Sequence, residues 1–135
     1  MAEFDIYLVD DNDNWLFLFS SILEKAGYKI KSFNESPVAL EEIKRHPPKL
    51  LILDYMMPSL KGDDMMMKIS ELKIINLFNA IVLTEINLSE DQDFSFKSLG
   101  FSEVLSKSLK KEKLLEIVKS QLDDWHEEKK NVRTV

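Results

Sequence analysis

The chain has 135 residues, of which 44% are hydrophobic, and its 18 basic and 24 acidic residues give a formal net charge of -6. This length and apolar content predict one globular domain whose core needs no cross-links. The absence of cysteine excludes disulfides, thiolate metal sites and thiol nucleophiles. The acidic balance disfavours nucleic-acid binding through a general electrostatic footprint.

The ends of the chain carry no sign of export. The N-terminus lacks a basic segment and a small-residue cleavage site, and no apolar run is long enough to span a membrane, so we expect a cytoplasmic protein. We predict a single domain over residues 1–125, followed by a polar tail over 126–135 that could extend the last helix.

Apolar segments with strand character alternate with helical segments along the chain. We predict strands from Phe4 to Val9, Tyr28 to Phe33, Leu50 to Asp54, Ala80 to Leu83 and Phe101 to Leu105. We predict helices starting near Asp13, Ser36, Asp63 and Ser89, and a last helix that carries Leu114 to Trp125. This alternation implies right-handed βαβ crossovers and a parallel sheet covered on both faces.

The first helix leads to two specific expectations. Asp13 is its predicted N-cap, and the helix ends before Gly27. On this helix, helical spacing predicts a core-facing side made of Trp15, Leu18, Phe19 and Ile22, with Leu16 and Leu23 widening it.

Asp54 ends the apolar run Leu50-Leu51-Ile52-Leu53. A carboxylate at the end of a buried strand is costly to desolvate, so it needs a cation, hydrogen bonds or a chemical role. Asp54 is therefore the first candidate for a functional residue.

Further polar residues follow the other predicted strands. In an open parallel sheet, ligands bind outside the carboxyl ends of the strands. Here these ends carry Asp10 and Asp11, then Asp54, Thr84 and Lys107. Such a set suits phosphoryl transfer to a carboxylate, with Asp54 as nucleophile and a hard divalent cation offsetting the acids. Thr84 and Lys107 could then contact phosphoryl oxygens.

With these residues in place, the chain resembles a receiver domain of the two-component response-regulator family along essentially its whole length. The matching residues are Val9-Asp10-Asp11, Asp54-Tyr55-Met56-Met57-Pro58 with Gly62, Thr84 and Lys107. The resemblance implies a flavodoxin-like (βα)5 three-layer sandwich with a five-stranded parallel sheet in the order 2-1-3-4-5. A chemotaxis receiver is itself a standard example of this strand order, so the order is an implication of the resemblance.

The resemblance also implies a function. A histidine of a partner kinase or phosphotransfer protein would pass a phosphoryl group to Asp54. Mg²⁺, or Mn²⁺ in its place, would be held by Asp11, Asp54 and the main-chain carbonyl of Met56, with Asp10 in support. Thr84 and Lys107 would bind the phosphoryl oxygens. Such a domain is a signalling module rather than an enzyme, with at most self-directed phosphotransfer and autodephosphorylation.

Three positions depart from the family pattern. Glu85 replaces a small residue that borders the route of the phosphoryl group, where it could repel donors, slow transfer and hydrolysis, or point into solvent. Val104 replaces an aromatic ring that turns inward on phosphorylation, and valine has few rotamers. Ser108 replaces a cis-proline, so the Lys107-Ser108 bond is either trans or strained.

Two other functions remain open from the sequence. The first is a receiver-like binding module that phosphorylation does not switch, which Glu85, Val104 and Ser108 favour. The second is an aspartate-based phosphatase, although that family usually places an Asp-x-Asp nucleophile after its first strand. Phe17 lies on the otherwise polar side of the first helix, where family members meet their phosphodonors, and is a candidate partner contact or an aromatic lying on its own surface.

Overall fold

The computed structural model describes residues 3–58, 60–85 and 89–128, with the backbone alone over residues 91–94. Five parallel strands form one sheet in the order β2-β1-β3-β4-β5. Their bounds are Ile6–Val9 (β1), Ile30–Phe33 (β2), Leu50–Asp54 (β3), Asn79–Thr84 (β4) and Glu103–Ser106 (β5). The predicted flavodoxin-like fold and its strand order are therefore confirmed.

Five α-helices alternate with the strands and cover both faces of the sheet. Their bounds are Asp13–Lys25 (α1), Ser36–Arg45 (α2), Gly62–Glu71 (α3), Glu90–Ser98 (α4) and Lys111–Glu128 (α5), with a short 3₁₀ helix at Ile75–Leu77. Buried side chains of α1 and α5 pack on one face. Those of α2, α3 and α4 pack on the other. This arrangement produces the three layers that alternating strands and helices predict.

The alternation of side chains along the central strands divides the core in two. On β1, Ile6 and Leu8 face α1 and α5, whereas Tyr7 and Val9 face the opposite helices. Strands β1 and β3 are buried along their full length, as expected for central parallel strands with helices on both sides. By contrast, edge strand β2 is only partly buried, which its alternating sequence predicts.

Two local predictions on α1 are wrong. The side chain of Asn12, rather than Asp13, caps the helix by accepting a hydrogen bond from the Trp15 backbone N–H at 3.0 Å. Leu18 was expected in the core but is 55% exposed, while Leu16 and Leu23 are the buried leucines. Leu18 fits the helical period but falls at the margin of the apolar stripe, where packing decides burial.

The start of α2 at Ser36 agrees with the prediction, and the end of α5 lies within the expected tail. Ser36 is the first residue of α2, and its hydroxyl donates to the Leu60 carbonyl at 3.0 Å. Helix α5 continues past Trp125 to Glu128, so residues 126–128 of the expected tail are helical. The rest of that tail lies outside the described residues. Within the described part of the chain, we find no helix with the length and apolar character needed to cross a membrane.

Parallel pairing brings the carboxyl ends of four strands to the same edge of the sheet. Val9 pairs with Leu53, Asp54 with Leu83 and Thr84 with Ser106. The residues that directly follow these strands must therefore gather above one edge.

Candidate functional site

A pocket of about 500 Å³ opens at this edge of the sheet. It is lined by Asp11, Asn12, Asp54, Met56, Thr84, Glu85 and Lys107. These residues come from the carboxyl ends of β1, β3, β4 and β5. The structure thus brings together the polar residues that the sequence placed after separate strands.

Three carboxylates cluster at the base of the pocket. One oxygen from each of Asp10, Asp11 and Asp54 lies within 4.8 Å of the other two. Asp10 is fully buried and Asp54 is 4% exposed, whereas Asp11 is open to solvent. The backbone N–H of Asn12 donates to Oδ1 of Asp10 at 2.9 Å, which fixes that carboxylate at the start of α1.

Lys107 places its ammonium between two of these acids. Its Nζ lies 2.6 Å from Oδ2 of Asp10 and 3.3 Å from Oδ1 of Asp54. The lysine side chain is only 10% exposed. Its backbone N–H donates to the Thr84 carbonyl at 2.9 Å, so the end of β4 holds the start of the loop that carries this ammonium.

Burial and mutual proximity shift the pKa values of the ionisable groups in the pocket. Burial first, and then the nearby charge of Asp10, raise the pKa of Asp54 to about 6 against the opposing effect of Lys107. Burial also raises the pKa of Asp10, against the hydrogen bond from Lys107. For Lys107, burial lowers the pKa, but contacts with Asp10 and Asp54 outweigh it and the net change is upward.

The acid cluster fits a hard divalent cation. Three carboxylates and one ammonium leave a formal charge of about -2, which one divalent ion would neutralise. Oxygens around one Mg²⁺ lie about 3 to 4 Å apart, because each is about 2.1 Å from the ion. The three acid oxygens lie within 4.8 Å of one another. Asp10, Asp11 and Asp54 therefore form a carboxylate set that could hold such an ion.

Thr84 and Met56 come from different strand ends but line the same pocket. Thr84 is the last residue of β4 and is buried. Met56 follows Asp54 by two residues, and its side chain is exposed. The adjoining loop is closed by Gly62, whose backbone N–H donates to the Tyr55 carbonyl at 2.9 Å. A Cβ at Gly62 would stand 3.1 Å from the Tyr55 Cα, so this close approach favours glycine.

Glu85 stands at the mouth of the pocket. Its Oε1 is 4.0 Å from Nζ of Lys107, while the side chain is 77% exposed. The carboxylate therefore reaches into solvent and still adds negative charge beside the lysine. An exposed charge at this distance acts weakly and is screened by salt.

Replacing Glu85 is expected to admit small anionic donors more readily. If Asp54 accepts a phosphoryl group, as the resemblance implies, Glu85→Ala should raise the rate of uptake from acetyl phosphate roughly threefold at low ionic strength, because it removes one exposed repulsive charge. The gain should disappear near 1 M salt, where the screening length is about 3 Å. Rates are measured by intact mass, with Glu112→Ala, an exposed acid on α5, as the matched control. An unchanged rate at low salt would contradict a role for Glu85 in access.

Val104 and Ser108 occupy the positions that differ from the family pattern on β5 and after it. Val104 is half-buried and packs against the core shared by α2, α3 and α4. None of the described residues has a cis peptide bond, so Lys107-Ser108 is trans, the first of the two expected forms. The Ser108 backbone N–H donates to Oγ of Ser106 at 3.1 Å, which turns the chain after the strand without proline.

The roles of two further residues beside the pocket were not predicted. Asn12 stands in an acidic run one residue before the predicted cap, and the preference of Asn for N-cap positions is the signal that could have found it. Trp15 packs half-buried against the core, as expected, and in addition the Lys107 ammonium lies 5.0 Å from the centre of its ring. Trp15 and Lys107 are far apart in sequence, so no local spacing rule could have paired them.

Comparison with known proteins decides the family. The family model of the response regulator receiver domain matches residues 6–119 of this chain. The chain belongs to the response regulator receiver family. It is a receiver of the CheY-like type, a class of signalling module in two-component systems.

Individual relatives agree with this assignment. The uncharacterized 14.6 kDa protein in the sodA1 3' region of Leptolyngbya boryana is 30% identical over 118 residues, which are 87% of this chain and 89% of that protein. The polar-differentiation response regulator DivK of Brucella ovis is 23% identical over 119 residues, covering 88% of this receiver and 96% of that protein. A CheY-like receiver domain protein from Methanospirillum hungatei JF-1 superposes with a TM-score of 0.81 at 26% identity, covering 91% and 96% of the two chains.

The candidate partner contact lies apart from the core. Phe17 on α1 is 77% exposed, so it does not lie flat on its own surface. Leu18, exposed beside it, adds a second apolar side chain to this face of the receiver. Phe17 is the more exposed of the two side chains and remains the candidate for a partner contact.

Proposed function

We propose that this receiver accepts a phosphoryl group on Asp54 from a histidine of a partner kinase or phosphotransfer protein. The observation that carries the proposal is the placement of Asp54. Its carboxylate lies at the floor of an open pocket, next to two acids fit for a divalent cation and 3.3 Å from the Lys107 ammonium. A buried structural aspartate needs the ammonium but not the other two acids.

The chemical step is a simple exchange of bonds. A carboxylate oxygen of Asp54 forms a bond to phosphorus while the phosphorus–nitrogen bond of the donor phosphohistidine breaks and the imidazole leaves. Asp54 must be ionised to attack. Its pKa of about 6 keeps most of it ionised at neutral pH. Lys107 and the buried Thr84 then face the oxygens of the transferred group.

Mg²⁺ is the proposed cofactor, and Mn²⁺ could replace it. Asp11 and Asp54 would hold the ion, with the main-chain carbonyl of Met56 as a third protein ligand and Asp10 in support. When bound, it would neutralise acid charge and phosphoryl oxygen charge during transfer. Both the ion and phosphohistidine donors are available in the cytoplasm, where we expect this receiver to act.

Incubation with acetyl phosphate tests the proposal. In the presence of Mg²⁺, intact mass spectrometry should detect one phosphate per chain, and EDTA or Asp54→Ala should abolish it. Asp63→Ala provides a matched control, since this acid lies in the first turn of α3 rather than in the pocket. Absence of the phosphate adduct, or an adduct that survives Asp54→Ala, would contradict the proposal.

A binding module that phosphorylation does not switch is the second candidate. Val104 favours it, because a valine packed against the core has no ring to swing when Asp54 is modified. The two functions differ in a measurable way. Under the proposed function, backbone amide resonances of β5 and α5 shift on phosphorylation. Under the alternative, an adduct forms without these shifts or does not form.

Phe17 is the proposed contact with the phosphodonor. Phe17→Ala should slow transfer from a phosphorylated histidine-containing protein at least about fivefold, since buried aromatic anchors contribute much of the energy at interfaces. Uptake from acetyl phosphate should stay unchanged, because this small donor needs no docking face. Val38→Ala on α2 controls for loss of an exposed apolar side chain. Equal slowing with both donors would argue against a docking role.

A further inference from the structure

The ammonium of Lys107 has neighbours besides its acids. In addition to Asp10 and Asp54, it meets the ring of Trp15, with its Nζ 5.0 Å from the ring centre. This separation is within the range in which a cation is attracted to the electron-rich face of an indole. Exposed Glu85 lies 4.0 Å away on the solvent side of the pocket and attracts the lysine only weakly.

Trp15 is itself held in place by the start of α1. Its backbone N–H donates to the Asn12 side chain at 3.0 Å, and the Asn12 N–H donates to Asp10 at 2.9 Å. Its ring stacks on Phe19, with 4.1 Å between centroids and an angle of 25° between planes. One turn of chain therefore fixes both the indole and the acid that bind Lys107.

The polar edge of the indole does not determine where the ring lies. Trp15 Nε1 is buried, and no acceptor for it is found among the residues whose side chains are described. A buried donor without a hydrogen bond is unfavourable, so contacts of the ring faces must outweigh the cost of this missing bond. Two such contacts are the Phe19 ring and the Lys107 ammonium.

We propose that Trp15 is a positioning residue that holds the Lys107 ammonium over the acids of the pocket. A lysine stem has four flexible carbons, and the indole adds to the ion pairs with Asp10 and Asp54 in restricting its rotamers. The indole favours the inward position. Its consequence for phosphoryl uptake rests on the proposed function of Asp54, whereas the placement of Lys107 in the resting receiver does not.

The placement is tested on the resting 135-residue chain by NMR of the Lys107 side chain. A ring face shifts protons above it upfield, so Lys107 Hε signals should be upfield in the native receiver. Trp15→Phe should keep part of this displacement and Trp15→Leu should remove it, with a lower order parameter at the ammonium. Phe19→Leu, which removes the stacking partner only, should retain most of it. If the Hε shifts and the ammonium order parameter of Lys107 stayed at their native values in a folded Trp15→Leu variant, the proposal would be overturned.

A second experiment tests the same contact without changing the shape of the tryptophan side chain. Biosynthetic fluorination of tryptophan withdraws electron density from the ring face while keeping its outline, and should lower the order of the Lys107 ammonium. The contact of Lys49 with Trp125, at 5.3 Å, is an internal reference because the same labelling weakens it. If Lys49 responds and Lys107 does not, the proposed attraction is absent. This experiment decides the question even if Trp15→Leu does not fold.

Uptake kinetics connect the placement to function. Trp15→Leu should slow uptake from acetyl phosphate roughly threefold, as expected for loss of one modest cation–π contact. The dependence on Mg²⁺ concentration should stay unchanged, and Trp15→Phe should restore part of the rate. Equal slowing in Trp15→Phe and Trp15→Leu would overturn this consequence. If the native chain takes up no phosphate, the proposed function fails, while the NMR result still decides the role of Trp15.

Discussion

Lys107→Met is expected to slow phosphoryl uptake from acetyl phosphate at least about 100-fold. The Lys107 ammonium lies 3.3 Å from the Asp54 carboxylate, and it faces the space where phosphoryl oxygens would lie. Loss of one preorganised charge or donor at such a position lowers rates by about 100 to 1,000-fold. Initial rates measured by intact mass at saturating Mg²⁺ test the expectation.

The same variant should bind Mg²⁺ more tightly although it takes up phosphate more slowly. Removing the positive charge beside Asp10 and Asp54 leaves the cluster more negative, so Mg²⁺ should bind more tightly by calorimetry. Lys110→Met, which removes an exposed lysine three residues along the chain, is the matched control and should change neither quantity. Native uptake by folded Lys107→Met would show that this ammonium does not take part in transfer.

Asp54→Asn is expected to stabilise the metal-free receiver by about 3 kcal/mol at neutral pH. Asp54 has a pKa of about 6 in the fold against an ordinary value of 3.8, so the folded receiver retains this proton where the unfolded chain has lost it. A tenfold change in an ionisation equilibrium corresponds to about 1.4 kcal/mol, which makes the ionised group unfavourable in the fold. Asparagine has the same shape without the charge.

The pH dependence provides the sign of this effect. Below about pH 4 both the folded and the unfolded native chain carry the proton, and the stability difference between native protein and Asp54→Asn should be small. From about pH 4 to 6 the native chain loses stability relative to the variant, and above this window the difference is constant. Urea unfolding in EDTA measures it, with Asp124→Asn on α5 as the exposed control. Added Mg²⁺ should narrow the difference by binding the folded native state. If Asp54→Asn were no more stable than the native protein at pH 7.5, the ionised Asp54 carboxylate would not be destabilising the fold, which would contradict this account.

Much of the fold could be predicted because its signals are local. The apolar runs of β3 and β4 are short and uniform, and their alternation with helical segments favours central parallel strands. Polar residues at strand ends then follow from the topology alone. Asp10, Asp54, Thr84 and Lys107 converge because parallel strands bring their carboxyl ends to one edge.

What could not be predicted depends on contacts between distant residues. The alternation on β2 indicated an edge strand, but the helical period on α1 placed Leu16 and Leu18 on one apolar face and could not show that Leu18 is exposed. Nor could it show that Trp15 contacts Lys107, since the two are brought together only after β5 returns to the sheet. The effect of Glu85 likewise required a distance, because one acid can face either solvent or the pocket.

Reductive trapping of the phosphorylated receiver tests the central claim most directly. Borohydride cleaves an aspartyl phosphate and converts the aspartate side chain into an alcohol, so the modified residue keeps a permanent mark. After treatment with acetyl phosphate, Mg²⁺ and borohydride, peptide mapping should find homoserine in place of Asp54, and in no peptide when Mg²⁺ is withheld. Homoserine at Asp10 or Asp11 instead, or no conversion of Asp54 in a chain that carries phosphate, would contradict the assignment of Asp54 as the phosphoacceptor.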